Sequence, residues 1–152
     1  MNKEIKKFYS NRKKEDFYFE DIQNADFGLI PNDKQGVYIL VAKKGKFLYP
    51  SKKYSPIFYI GMSTNLKKRL KSHQNEIKRI HKMPFKDRWD DWYWERHQYA
   101  VAFECKVLVF TIRSSQSAKN LEANIIENFY NEFYGKPVAN GAFSFKKINT
   151  NY

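Results

Sequence analysis

The apolar residues of this chain change their period at a single glycine, and that change limits what the chain can fold into. Before it stand two short runs of β-forming residues, Gly36-Val37-Tyr38-Ile39-Leu40-Val41-Ala42 and Ile57-Phe58-Tyr59-Ile60, the second stopping at Gly61. Beyond it, Leu66, Leu70, His73, Ile77 and Ile80 recur at intervals of 4, 3, 4 and 3. Strand-like runs that give way to a period near 3.6 mean paired strands followed by a helix. The spacing predicts that helix over about 65–81, with Ser63 or Thr64 as N-cap and Pro84 barring a long continuation. Lys43-Lys44-Gly45-Lys46 supplies turn chemistry, so the two strands are expected to pair as an antiparallel hairpin with a long basic connection. Tyr99–Ile112 is predicted as a further strand. Ser117 is predicted to cap a second helix with the stripe Leu121, Ile125, Phe129 and Phe133, closed by Gly135 at C′ with Pro137 beyond. The expected fold class is α/β (α+β): a small central antiparallel three-stranded sheet flanked by helices, in the order β-β-α-β-α, with an N-terminal arm.

The chain has 152 residues, enough for one domain and a buried core that needs no metal or disulfide. No repeat or Pro/Ser-rich linker divides it, so residues 1–35 are taken as an arm packed on a domain spanning 36–152. Hydrophobic residues at 42% and aromatic residues at 18% exclude a disordered tail. The 28 basic and 16 acidic side chains leave a net charge of +12, which points to a polyanion and to nucleic acid before a membrane surface. Residues 62–86 hold eight basic side chains and one acidic one, so +7 of that charge forms a patch. Cys105 lies in an apolar run and is expected to be a buried, inert thiol; with one cysteine and three histidines, a Cys/His zinc site is nearly excluded by count. The charged first twenty residues contain no signal-peptide core, and no run approaches the ~18 apolar residues of a membrane span. A soluble, cytoplasmic protein with no membrane partner is expected.

Spacing alone singles out a few side chains. Arg69 and His73 stand four apart on one helix, within ~6 Å, and reach one phosphate region. A forked Arg suits the charge that develops on a phosphodiester during cleavage. Lys67, Lys68, Lys71, Lys78 and Arg79 extend the same helix as nucleic-acid-binding candidates. Tyr38 and Tyr59 are by default half-buried strand tyrosines. Glu127, beside the second apolar stripe, either points to solvent or holds a hard cation such as Mg²⁺. Residues 85–99 gather Phe85, Trp89, Trp92, Tyr93, Trp94 and Tyr99 among Asp87, Asp90, Asp91 and Glu95. Such rings can stack on bases, but four acidic neighbours repel phosphate, so packing over the core is the favoured reading.

In order along the chain, these motifs resemble the GIY-YIG nuclease superfamily. Gly36-Val37-Tyr38 is similar to its first motif, with Val in place of Ile, and Tyr59-Ile60-Gly61 matches its second. The stretch from Met62 to His73 resembles the family's capped turn and helix carrying Arg and then His. Ile125-Ile126-Glu127-Asn128-Phe129-Tyr130 is similar to its helix with a metal-binding Glu, and Ala139-Asn140 to its later Asn. The resemblance covers about 36–140, and its Glu127 helix with the Gly-Lys-Pro ending looks most like restriction-enzyme members. It implies a metal-dependent DNA endonuclease hydrolysing phosphodiester bonds, with double-stranded DNA as partner and a homodimer as one form. By resemblance, Glu127 binds Mg²⁺, for which Mn²⁺ can substitute, and Arg69 stabilises the pentavalent transition state. Tyr38 is then the general base or positions water, and Tyr59 contacts phosphate or shares that task. His73 and Lys68 support them, and Asn140 orients phosphate or braces its loop. The 43–56 connection is longer than in compact members; its lysines form a DNA-contacting loop or a solvated hairpin tip. The alternatives are a non-catalytic nucleic-acid-binding module on the same fold, or a nuclease subunit of a larger repair or restriction assembly.

Overall fold

A computed structural model describes residues 16–89 and 94–140. The elements are β1 (Phe17–Phe19), β2 (Gln35–Ala42), β3 (Phe47–Leu48), β4 (Tyr54–Ser55), β5 (Ile57–Ser63), α1 (Leu66–Lys82), α2 (Arg96–Phe103), β6 (Cys105–Ile112) and α3 (Ser115–Phe133). Short 3₁₀ turns lie at Phe27–Leu29 and Phe85–Trp89. One antiparallel sheet runs β1-β6-β2-β5, and β3 pairs with β4 apart from it. The α+β class holds.

Central β2 is covered on both faces, which explains why its sequence is continuously apolar rather than alternating. Val37, Ile39 and Val41 pack with Leu121, Ile125, Phe129 and Phe133 of α3 on one face. Tyr38 and Leu40 pack with Leu66, Leu70 and Ile77 of α1 and Ala100 of α2 on the other. Leu40 pairs with Tyr59 but Val41 with Ile57, so Phe58 is a bulge residue. The bulge turns both Phe58 and Tyr59 toward the α1 face.

The sheet has four strands rather than three, because the arm supplies β1 along β6. Phe19, Ile22, Phe27 and Ile30 are buried in the core on the α1 face. The Gln74 amide of α1 fastens them, donating to the carbonyls of Ile22 at 2.8 Å and Ala25 at 2.9 Å. The strand predicted from Tyr99 starts at Cys105 instead. Glu95 and Gln98 form a capping box that opens α2, and Glu104 ends it at φ 55°. The helix caps also differ by a few positions. Asn65, not Ser63 or Thr64, caps α1, and Ser114, not Ser117, caps α3. The left-handed residue closing α3 is Tyr134, at φ 57°, while Gly135 packs against Pro50.

Trp89 and Trp94 stand 4.9 Å apart, and Trp94 lies 5.5 Å from Tyr99, which contacts Phe47 and Phe58 in the core. Trp89, Trp94 and Tyr99 pack as favoured, whereas Phe85 is 73% exposed. Asp90, Asp91, Trp92 and Tyr93, like arm residues 1–15 and the tail beyond 140, lie outside the described residues. No helix among the described residues is long and apolar enough to cross a membrane.

Candidate functional site

Tyr38 and Gly61 face each other across the β2–β5 ladder. A Cβ at Gly61 would stand 2.8 Å from Tyr38 Oη and 2.7 Å from Tyr59 Cε1, so a glycine is what lets the two rings close over this strand. The ring centres are 5.9 Å apart. Tyr38 is only 2% exposed, whereas Tyr59 is partly exposed. Behind the pair, Tyr38 Oη lies 2.7 Å from His73 Nε2. His73 is also 2% exposed, and its Nδ1 lies 2.9 Å from Nε2 of His97 on α2. Both nitrogens of the buried imidazole are therefore engaged.

The same turn of α2 carries Arg96, whose guanidinium carbon sits 5.1 Å from the Tyr59 ring centre. Arg96 Nε is buried and has no hydrogen-bond partner among the described residues. Burial pushes the Tyr38 hydroxyl far above the ordinary tyrosine range; Tyr59 adds to the shift, and Arg96 and Arg69 oppose it. Burial, then the charges of Arg96, His97 and Arg69, push His73 down to about 3. Burial and Arg96 push His97 down to about 4, against the pull of Glu76. At neutral pH the phenol keeps its proton and both imidazoles are uncharged. The cluster is a neutral hydrogen-bonded chain bordered by two arginines.

Arg69 is exposed on α1 and lines a cleft of about 360 Å³ with Ser63, Thr64, Asn65, Lys68 and Ser72. A wider cleft of about 720 Å³ continues along α1 past Lys67, Lys71 and Arg79. Lys68, Lys71 and Lys78 are exposed and make no ion pair among the described residues. Lys67 donates to Asn32 Oδ1 at 2.9 Å, and Arg79 pairs with Glu76. In the 43–56 connection Lys44 pairs with Glu104 at 2.8 Å and Lys53 with Glu132 at 3.2 Å.

Glu127 does not join this group. It is exposed and lies about 200° around α3 from Ile125, on the side away from the sheet. The carboxylate that reaches the motif strand is Glu122, next to Leu121 on the inward stripe. It is half-buried, accepts a hydrogen bond from the Met62 backbone directly after Gly61, and is held above the ordinary carboxylate range by burial. Asn140 takes the bracing role of its two alternatives. Its amide accepts from Ile60 N–H at 2.9 Å and donates to Ile60 C=O at 2.8 Å, completing the outer edge of β5.

No family model, curated protein or solved structure matches the chain. Tyr38, Tyr59, His73 and the charge of Arg69 come together; Glu127 and Lys78 do not. Arg96 and His97 are members that reading the sequence misses, whereas Glu122 meets β5 at Met62 from the α3 side. The Glu95/Gln98 pairing signals that a helix starts there, and the stripe position beside Leu121 signals an inward-leaning Glu122. Among the described residues no three of His, Cys, Asp and Glu gather as a metal cage. An ion here would rest on one carboxylate with phosphate oxygens and water, a donor set that suits Mg²⁺.

Proposed function

We propose that this chain is a divalent-metal-dependent endonuclease that hydrolyses DNA phosphodiester bonds. The observation that carries the reading is the meeting of a glycine-seated tyrosine pair with Arg69 and Arg96, at one end of a helix face bearing Lys68 and Lys71. The lysines hold the DNA backbone by charge. Arg69 forks onto non-bridging oxygens, where charge grows during attack, and Arg96 adds a second cation over Tyr59. Tyr59, the partly exposed ring, meets the attacking water; Tyr38 is buried behind it and acts through Tyr59 and His73 rather than on the substrate. Glu122, and not Glu127, would hold the metal ion. When bound, such an ion polarises the phosphate and the leaving oxygen.

The test is incubation with supercoiled, linear and branched DNA in Mg²⁺ or EDTA. Wild type is expected to cut in Mg²⁺ only, Arg69→Ala and Glu122→Gln to lose about 10²-fold or more, and Glu127→Ala to stay near wild type. Tight DNA binding without any cutting by wild type would replace the nuclease with a binding module. Full activity in Glu122→Gln would remove that residue from the metal.

A further inference from the structure

The hydrogen-bonded chain behind the tyrosines runs further than the reaction at the phosphate requires. Tyr38 Oη, both nitrogens of His73 and Nε2 of His97 are linked at 2.7 and 2.9 Å, and the line leads from a buried phenol to a half-buried imidazole on α2. We propose that Tyr38, His73 and His97 form a proton relay from the tyrosine pair to the protein surface beside Glu76, with His97 as its outlet. This rests on the nuclease reading, since hydrolysis is what delivers a proton to the pair.

A neutral imidazole has one donor and one acceptor, so such a chain has a direction. For outward transfer, Tyr38 donates to His73 Nε2, and His73 Nδ1–H donates to His97 Nε2. As the attacking water gives its proton to the pair, the Tyr38 proton passes to His73 Nε2. The His73 Nδ1 proton moves to His97 Nε2, and the His97 Nδ1 proton leaves to bulk water. The water becomes the attacking hydroxide, the pair ends neutral, both histidines end neutral with swapped tautomers, and one proton reaches solvent.

His97 is needed because neither buried member can store charge. Among the described residues, the groups facing the chain are Tyr59 on β5, Arg69, Glu76 and Arg79 on α1, and Arg96 on α2. Burial and the two nearest arginines oppose an imidazolium at His73, and burial opposes a phenolate at Tyr38. A proton entering the chain must leave it in the same step. Glu76 is the charge that favours a proton at His97. His97 is thus a positioning residue that acts through His73.

Two readouts on the full chain test this. In the first, single-turnover cleavage of supercoiled DNA in Mg²⁺ is followed from pH 6 to 9 for wild type, His97→Gln and His97→Phe. Glutamine can still accept from His73 Nδ1–H but cannot pass a proton on. Both variants are expected to slow about tenfold or more at pH 7 with unchanged DNA affinity, and the deficit should shrink as hydroxide takes over at high pH. A wild-type rate in His97→Gln, or a deficit equal at every pH, overturns the relay. In the second, ¹⁵N spectra of the histidine rings are recorded at pH 7, with thermal unfolding confirming that the variants fold. Wild type and His97→Gln should show His73 protonated on Nδ1 and bare on Nε2; the reverse tautomer overturns the relay. If wild type cuts no DNA the nuclease reading falls, and the tautomer alone then decides whether the chain points outward.

Discussion

Gly61 shows how one missing side chain organises a site. Its Cβ position is already occupied by the edges of two tyrosine rings, one of them 2% exposed and unable to swing away. Gly61→Ala is therefore expected to cost about 1–3 kcal/mol by overpacking and to displace the pair, measurable by urea unfolding and near-ultraviolet dichroism. An alanine variant of wild-type stability would mean the rings are not seated there. The histidines give a pH signature. Their folded values, about 3 for His73 and about 4 for His97, lie below the ordinary 6.5. The unfolded chain then binds more protons than the folded one below pH 6.5, so stability is present above that pH and lost on acidification. Between pH 6.5 and 5, above the carboxylate range, stability should fall with a slope that steepens from about 0.7 toward about 1.4 kcal/mol per pH unit for each histidine. A flat urea midpoint across this window would contradict their buried, neutral state. Tyr38, Tyr59, Arg69 and His73 can be picked out from motif order because they sit on elements adjacent in the chain. Adjacency to an apolar stripe does not fix a carboxylate's direction; the 100° step per residue does, and it leaves Glu127 exposed while Glu122 leans toward the sheet.

Among the elements, β1 carries no legible pattern, and α2 is announced only by the Glu95/Gln98 pairing. A three-residue strand has too little pattern to be told from a loop, and what holds it is β6, some ninety positions later. The arm is nonetheless structural. Phe27 is 1% exposed and meets Phe19 edge-on at 4.9 Å. Phe27→Ala is expected to cost about 3–5 kcal/mol, read as a lowered urea midpoint; a loss below about 1 kcal/mol would make the arm a mere cover. In α2, the apolar run Tyr99–Phe103 suits a strand as well as a helix, and the capping box with Glu104 at positive φ breaks the tie. By contrast, α1 and α3 bury the same stripes that their periodicity announces.

Across the whole molecule, charge is sorted by face. The α1 face keeps Lys68, Lys71 and Lys78 clear of ion pairs among the described residues, while Lys44 and Lys53 of the long connection are paired with Glu104 and Glu132. Reversing Lys68 or Lys71 to Glu should weaken DNA binding and lower the slope of log K against log salt by about 1 for each phosphate no longer neutralised. Reversing Lys44 should leave the slope unchanged, and equal effects at both places would mean the whole surface binds DNA. The paired strands, the two striped helices, the basic face and the glycine at which they meet are all written in the order of residues. All of these follow from local period, turn chemistry and charge, which act between near neighbours in the chain. Tertiary packing alone makes the arm complete the sheet and brings Arg96 and His97 on α2 to a tyrosine pair formed long before it in the chain. Those depend on packing between segments distant in the chain, where burial and hydrogen bonding, not local pattern, choose the partner.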